Sequence, residues 1–177
     1  MTHIAFLRAL NVGRRTVKMA RLVEVVNDLG YKDVWTHINS GNVVFDTSAS
    51  RTKIEQAMER ALEAEFGFEV TTFVRTATEV RKALAVNPFR LKPGDTYFVT
   101  FLKSTLPATK RNKLEALSNK FDTLVVKGRD VHWRMRGKST ETTVSSKAWA
   151  DIVGEHRSTS RNTTMLEKLL EKVAAKA

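Results

Sequence analysis

Ile4 to Leu10 is an apolar run broken only by Arg8, which reads as a mostly buried strand. Met19, Leu22, Val23, Val26 and Leu29 then recur at helical spacing, and Gly30 stands where a helix would be capped. Val34 to Ile38 and Val43 to Phe45 are short strand-like runs joined by Asn39-Ser-Gly-Asn42, whose residues favour a turn, so they predict a hairpin. Ser50 offers a cap for a helix with Ile54, Ala57, Met58, Ala61, Leu62 and Phe66 on one face, and Val70 to Arg75 reads as a fourth strand. Strand, helix, hairpin, helix, strand is the split βαβ order of a ferredoxin-like unit.

A helix over 77–86 and the turn Asn87-Pro88 close this half, and Leu91-Lys-Pro-Gly-Asp95 is the linker. The order then restarts. Thr96 to Leu102 reads as a strand and Pro107 to about Lys120 as a helix with Leu114 and Leu117 inward. Thr123 to Val126 and Val131 to Met135 form a hairpin across Lys127-Gly-Arg-Asp130. Residues 145–155 look helical, Arg157 to Ser160 reads as a degenerate short strand, and Asn162 or Thr163 caps a last helix with Met165, Leu166, Leu169, Leu170 and Val173 inward. Phe-Leu-Arg at 6–8 even echoes Phe-Leu-Lys at 101–103. The expected architecture is α+β: two pseudo-repeated ferredoxin-like (βαββαβ) halves, residues 1–90 and 91–177, with antiparallel sheets, helices on one face, and a C-terminal helix.

Composition narrows the function classes. The chain has 177 residues, 42% of them hydrophobic, and no cysteine, so disulfides, thiolate metal sites and cysteine nucleophiles are excluded. There is no apolar run long enough to span a membrane and no signal-like N-terminus, so a cytoplasmic location and no membrane partner are expected. The formal charge is +11, with most of the excess in residues 91–177. Such a field attracts polyanions, and it also serves solubility alone.

The split βαβ topology brings the Asn11–Arg15 loop and the Asn39–Asn42 turn to one end of the sheet. There Arg8, Asn11, Gly13, Arg14, Arg15 and Lys18 gather near Ser40, Gly41 and Asn42. The loop precedes a helix, whose free N–H groups and dipole favour an anion, and arginines fork phosphates or carboxylates. Two readings stay open: an anion pocket, or the ordinary chemistry of tight loops, which use Asn, Ser and Gly for their own closure. Neither a Walker loop nor a dinucleotide fingerprint is present.

Phe6 to Met19 and Ile38 to Phe45 together resemble the N-terminal signature of the bacterial domain-of-unknown-function family 1697. The resemblance covers most of the chain and implies a duplicated ferredoxin-like fold, but no established activity. Arg8, Asn11, Gly13, Lys18, Ser40, Gly41 and Asn42 fall on that signature, and Arg161-Asn162 matches an Arg-Asn pair at the head of the family's last helix. The chain departs from the pattern at Gly13-Arg14, where the family has two glycines, and at Thr163-Thr164, where it tends to show an aromatic.

The remaining signals are weaker. His3, His37, His132 and His156 include no pair at metal-binding spacing, and no metal or cofactor is expected. His37 and Ser40, with Asp33 or Asp46, have the residue types of a hydrolase triad, but Ser40 lies in a turn between strands and not on a nucleophile elbow. The second hairpin alternates Val131, Trp133 and Met135 with His132, Arg134 and Arg136, which predicts an apolar face and a wet, cationic one. With Lys127 and Arg129 that second face is a candidate nucleic-acid surface, although the aromatic signature of an RNA-recognition motif is missing. The leading expectation is a binding protein for a phosphate-bearing ligand, nucleic acid included, held at the Asn11–Lys18 loop and the Ser40–Asn42 turn with Arg8, Arg161 and Asn162 completing the pocket. The alternatives are an enzyme acting on a small phosphorylated or acyl substrate and an interaction module whose polar site is structural.

Overall fold

The computed structural model describes residues 1–177. The chain runs β1 (Thr2–Leu7), α1 (Met19–Asp28), β2 (Lys32–Thr36), β3 (Asn42–Asp46), α2 (Arg51–Phe66), β4 (Thr72–Thr76) and α3 (Ala77–Val86). It continues through β5 (Thr96–Leu102), α4 (Ala108–Glu115), β6 (Asp122–Lys127), β7 (Asp130–Met135), α5 (Ser146–Val153), β8 (Ser158–Asn162) and α6 (Thr163–Lys176). The strands form two antiparallel sheets of identical topology, β2-β3-β1-β4 and β6-β7-β5-β8, which is the duplicated ferredoxin-like arrangement. By compactness, residues 1–80 with 169–177 make one unit and residues 81–168 the other. No helix is long and apolar enough to cross a membrane.

In the first unit β1 lies inside the sheet, and every residue from His3 to Leu7 is buried, which accounts for its nearly unbroken apolar run. Ala5, Leu7, Val43, Phe45 and Val74 face α1 and α2, whose Leu22, Val25, Val26, Ile54, Met58 and Leu62 complete one core. Each such large side chain contributes about 2 kcal/mol by leaving water. The outer edge of β4 is closed by α2: Glu59 accepts the Thr72 N–H at 2.9 Å and Glu55 accepts the Val74 N–H at 3.0 Å. The two glutamates sit four residues apart on one helix face, the spacing that lets them track a strand edge.

The second unit closes its β6 edge in the same manner. Glu115 of α4 accepts the Val126 N–H and Ser118 accepts the Leu124 N–H, both at 3.0 Å. The helix ends at Glu115, short of the expected Lys120. Ser118 and Asn119 bind backbone amides instead, Asn119 accepting from Phe121 and Asp122, and such side chains compete with helix propagation. Leu102, Leu114, Leu124, Val126, Val131 and Val153 form the core, with Trp133 stacked on Trp149 at 5.4 Å. The hairpin turns through Gly128 and Arg129, with Gly128 at φ 59 in the first position, where a side chain would be strained. The segment expected to be a degenerate strand is a five-residue strand paired along β5.

Candidate functional site

The loop between β1 and α1 begins where Ala9 takes φ 52 and turns the chain out of the sheet. Leu10 then drops back into the core. The end of β1 is held on both flanks: Leu7 N–H donates to Gly41 O at 2.8 Å and Arg8 N–H to Thr71 O at 2.9 Å. Gly41 has φ 73, and a Cβ there would lie 3.0 Å from Leu7 Cβ, so both conformation and space require glycine.

Two amides lock this arrangement. Asn11 Oδ1 accepts the Val17 N–H at 2.8 Å, and its Nδ2 donates to Asn39 O at 3.3 Å. One side chain thereby ties the start of the loop to its end and to the β2–β3 turn. Asn42 is fully buried and donates to His37 O at 3.1 Å and to Ser40 Oγ at 2.7 Å, while His37 N–H donates to Asn42 O at 3.0 Å. The loop and the turn thus meet at one end of the sheet through Leu7–Gly41 and Asn11–Asn39.

The cations behave differently from the amides. Gly13 and Arg14 are exposed on the loop, with φ 67 at Gly13. The Arg15 guanidinium lies 4.2 Å from the centre of the Phe68 ring, a cation–π contact. Lys18 is the N-cap of α1 and makes no side-chain cap, and no acidic residue occupies the first turn of that helix. Arg8 is half-buried at the strand end. One turn into α1, Arg21 is paired with both Glu24 and Glu65. The start of α1 is therefore a positive helix terminus with cations in front of it, an arrangement able to hold an anion.

Arg161 and Asn162 belong to the second unit. Arg161 is half-buried on β8 and donates to Thr159 Oγ1 at 2.8 Å and Ser160 O at 2.9 Å; desolvation of its guanidinium lowers its pKa to about 10. Asn162 Oδ1 accepts the Thr164 N–H at 2.9 Å and so caps the first turn of α6.

The second hairpin corrects one expectation. The face of β7 expected to be wet is so only in part: Arg136, just past the strand, is exposed, but His132 is fully buried, with its Nδ1 2.6 Å from the Tyr97 hydroxyl. Alternation separates two faces but does not say that either meets water, and β7 is an interior strand. Burial, with a smaller contribution from Lys127, lowers the His132 pKa to about 4, and burial with Asp130 raises that of Tyr97 to about 12. Arg134 is half-buried, binds Thr123 Oγ1 and lies 5.6 Å from the Phe89 ring centre. Arg136 pairs with Asp95 at 2.8 Å. Lys127 is exposed at the end of β6, and Arg129 lies in the turn.

Sequence reasoning missed Asp122, which is fully buried and organises this hairpin. It accepts from Trp133 Nε1 at 2.9 Å, Thr142 Oγ1 at 2.7 Å and Thr143 N–H at 3.2 Å. Burial alone would raise its pKa, but the hydrogen bonds from Thr142, Trp133, Thr143 and Asn119 outweigh that and hold it below the ordinary carboxylate value. No sequence motif marks such a hub, because its donors come from three separate segments.

The family described as "Protein of unknown function (DUF1697)" matches residues 1–132. Comparison with curated proteins gives no match. Among solved structures, the conserved bacterial protein SP0830 from Streptococcus pneumoniae is similar, with 19% identity, a TM-score of 0.73 and 98% of each chain covered. At that identity the likeness is one of fold.

Proposed function

Because the chain belongs to the DUF1697 family, whose function is unknown, we propose on the strength of its own residues that it binds a phosphate-bearing ligand at the start of α1. The carrying observation is the contrast among the cations there. Arg14, Arg15 and Lys18 make no ion pair, whereas Arg21 on the same helix makes two. Helix amides with no acidic neighbour and unneutralised cations favour a ligand with several anionic oxygens. A nucleic-acid backbone offers these in series and a phosphorylated metabolite singly. Asn11 and Asn42 are committed to holding the loop, so the binding role falls to the cations.

Fluorescence anisotropy with short single- and double-stranded RNA and DNA, at low and at physiological salt, is the test. Binding that survives physiological salt and favours one form identifies a nucleic-acid protein. Binding that vanishes with salt and ignores the form shifts the screen to small phosphorylated molecules. Arg14→Glu with Arg15→Glu is expected to weaken binding by at least about tenfold, the effect of losing one or two charge-assisted contacts. Affinity unchanged in that variant would sink the proposal.

A further inference from the structure

On the sheet face of the first unit opposite α1 and α2, a cavity of about 80 Å³ opens between the strands and the last turn of α6. Its walls include Thr2, Asp33, Trp35, Asp46, Val173 and Lys176. Strand pairing explains the grouping. Asp46 lies opposite Thr2 on β1, and Trp35 lies opposite Val44, two residues from Asp46 on the same face. The register between β2 and β3 shifts between Lys32 and Trp35, and Asp33 within that shift has φ 51. The bulge re-aims the Asp33 position towards the same cavity.

Three observations define the chemistry. Asp46 Oδ1 is buried and has no hydrogen-bond partner, an unfavourable state that a donor entering the cavity would relieve. The Trp35 ring already has a cation on it: Lys176 Nζ lies 5.4 Å from the ring centre. Lys176 forms no ion pair with either carboxylate, so it covers the aromatic wall without satisfying Asp46. Asp33 and Asp46 are the only acidic side chains among the walls, and no cluster of three His, Asp or Glu residues that could hold a metal ion exists. The volume suits a charged head and its first methylenes.

We propose that this cleft binds a primary alkylammonium group, whose N–H donors reach Asp46 and whose charge lies over Trp35, with Lys176 as the tethered cation it displaces. The proposal is independent of the anion-binding reading, since it uses another face and the opposite charge.

The chain has three tryptophans, so indole ¹H–¹⁵N spectra contain three side-chain signals, and Trp35→Phe assigns the relevant one. Titration with n-butylammonium chloride is expected to shift the Trp35 signal saturably and leave those of Trp133 and Trp149 in place. Lys176→Ala, an exposed change, is expected to tighten binding about threefold by removing the internal competitor. Asp46→Asn is expected to abolish it; should that variant fail to fold, Asp33→Asn is expected to weaken it. Calcium chloride at matched ionic strength is expected to leave the signal unmoved. Putrescine and Nα-acetyl-lysine amide serve as parallel ligands, and the tighter of the two indicates whether the group arrives on a free amine or on a peptide. A Trp35 signal that no amine moves in the Lys176→Ala protein overturns the proposal, as does a calcium shift equal to that of the amine.

Discussion

The loop at the start of α1 and the β6–β7 hairpin are both polar in sequence, yet they use polarity in opposite ways. The loop is tied by neutral amides, Asn11 and Asn42, and its Arg14, Arg15 and Lys18 pair with no carboxylate. The hairpin is tied by a buried carboxylate, Asp122, and its basic residues Arg134 and Arg136 have partners in Thr123 and Asp95. A cation becomes a candidate ligand group when its own chain supplies no partner, and the density of basic residues alone does not report that. The hairpin is rich in cations, but two of them and its histidine are already engaged.

The sharpest way to break this comparison is to remove the charged hub. Asp122→Ala leaves the Trp133 indole N–H and two threonine groups without their acceptor inside the fold. Such a loss costs about 3–4 kcal/mol. Urea denaturation should show it, and the near-ultraviolet signal of the stacked Trp133–Trp149 pair should fall in parallel. A cost below about 1 kcal/mol would mean that the hairpin does not depend on its carboxylate.

The next test uses pH, and it separates the hairpin's two buried titrating groups. His132 is neutral in the fold, with a pKa near 4 against about 6.5 when unfolded. Between these values the unfolded chain binds more protons, so stability falls as pH drops from about 6.5 to 4, by at most about 3 kcal/mol. Asp122 acts lower on the scale. Its depressed pKa adds stability above the ordinary carboxylate value, and that stability is lost as pH falls through the folded pKa. His132→Phe should make the upper window shallower, leaving the smaller share of the buried His3, and leave the lower window unchanged. A stability profile already flat between pH 6.5 and 4 in the parent protein would contradict the burial of a neutral His132.

These contrasts also show what was legible in the residues. The residues located β5 and, closely, α3, because the Asn87-Pro88 turn ends the helix and the Pro93-Gly94 linker precedes the strand. Turn chemistry and topology brought the Asn11 loop and the Asn39–Asn42 turn together. The burial of His132 was not legible, since alternation assigns a side without saying what covers it. Asp33, Trp35 and Asp46 were also invisible as a group, because a register shift between strands assembles them and no local spacing encodes it. No local pattern marks Glu55 and Glu59, because the strand edge they close is set by the pairing order of the sheet.

The smallest expected effect is the one that sharpens the comparison most, because it separates the frame of the loop from its chemistry. Asn11→Ala removes one acceptor from the part-buried Val17 N–H and one donor from the exposed Asn39 O. Water replaces part of what is lost, so the cost is about 1 kcal/mol, below that of the buried Asp122. Arg14, Arg15 and Lys18 keep their charge in this variant, and Lys18 still precedes an uncapped helix. Anion affinity should therefore fall only as far as the loop loosens, within about threefold, while Arg14→Glu with Arg15→Glu changes affinity and leaves stability nearly intact. Calorimetric unfolding and anisotropy on the same two proteins give the comparison directly. If Asn11→Ala instead abolished binding at full stability, the amide and not the cations would be the group that meets the ligand, and the division between frame and charge would have to be redrawn.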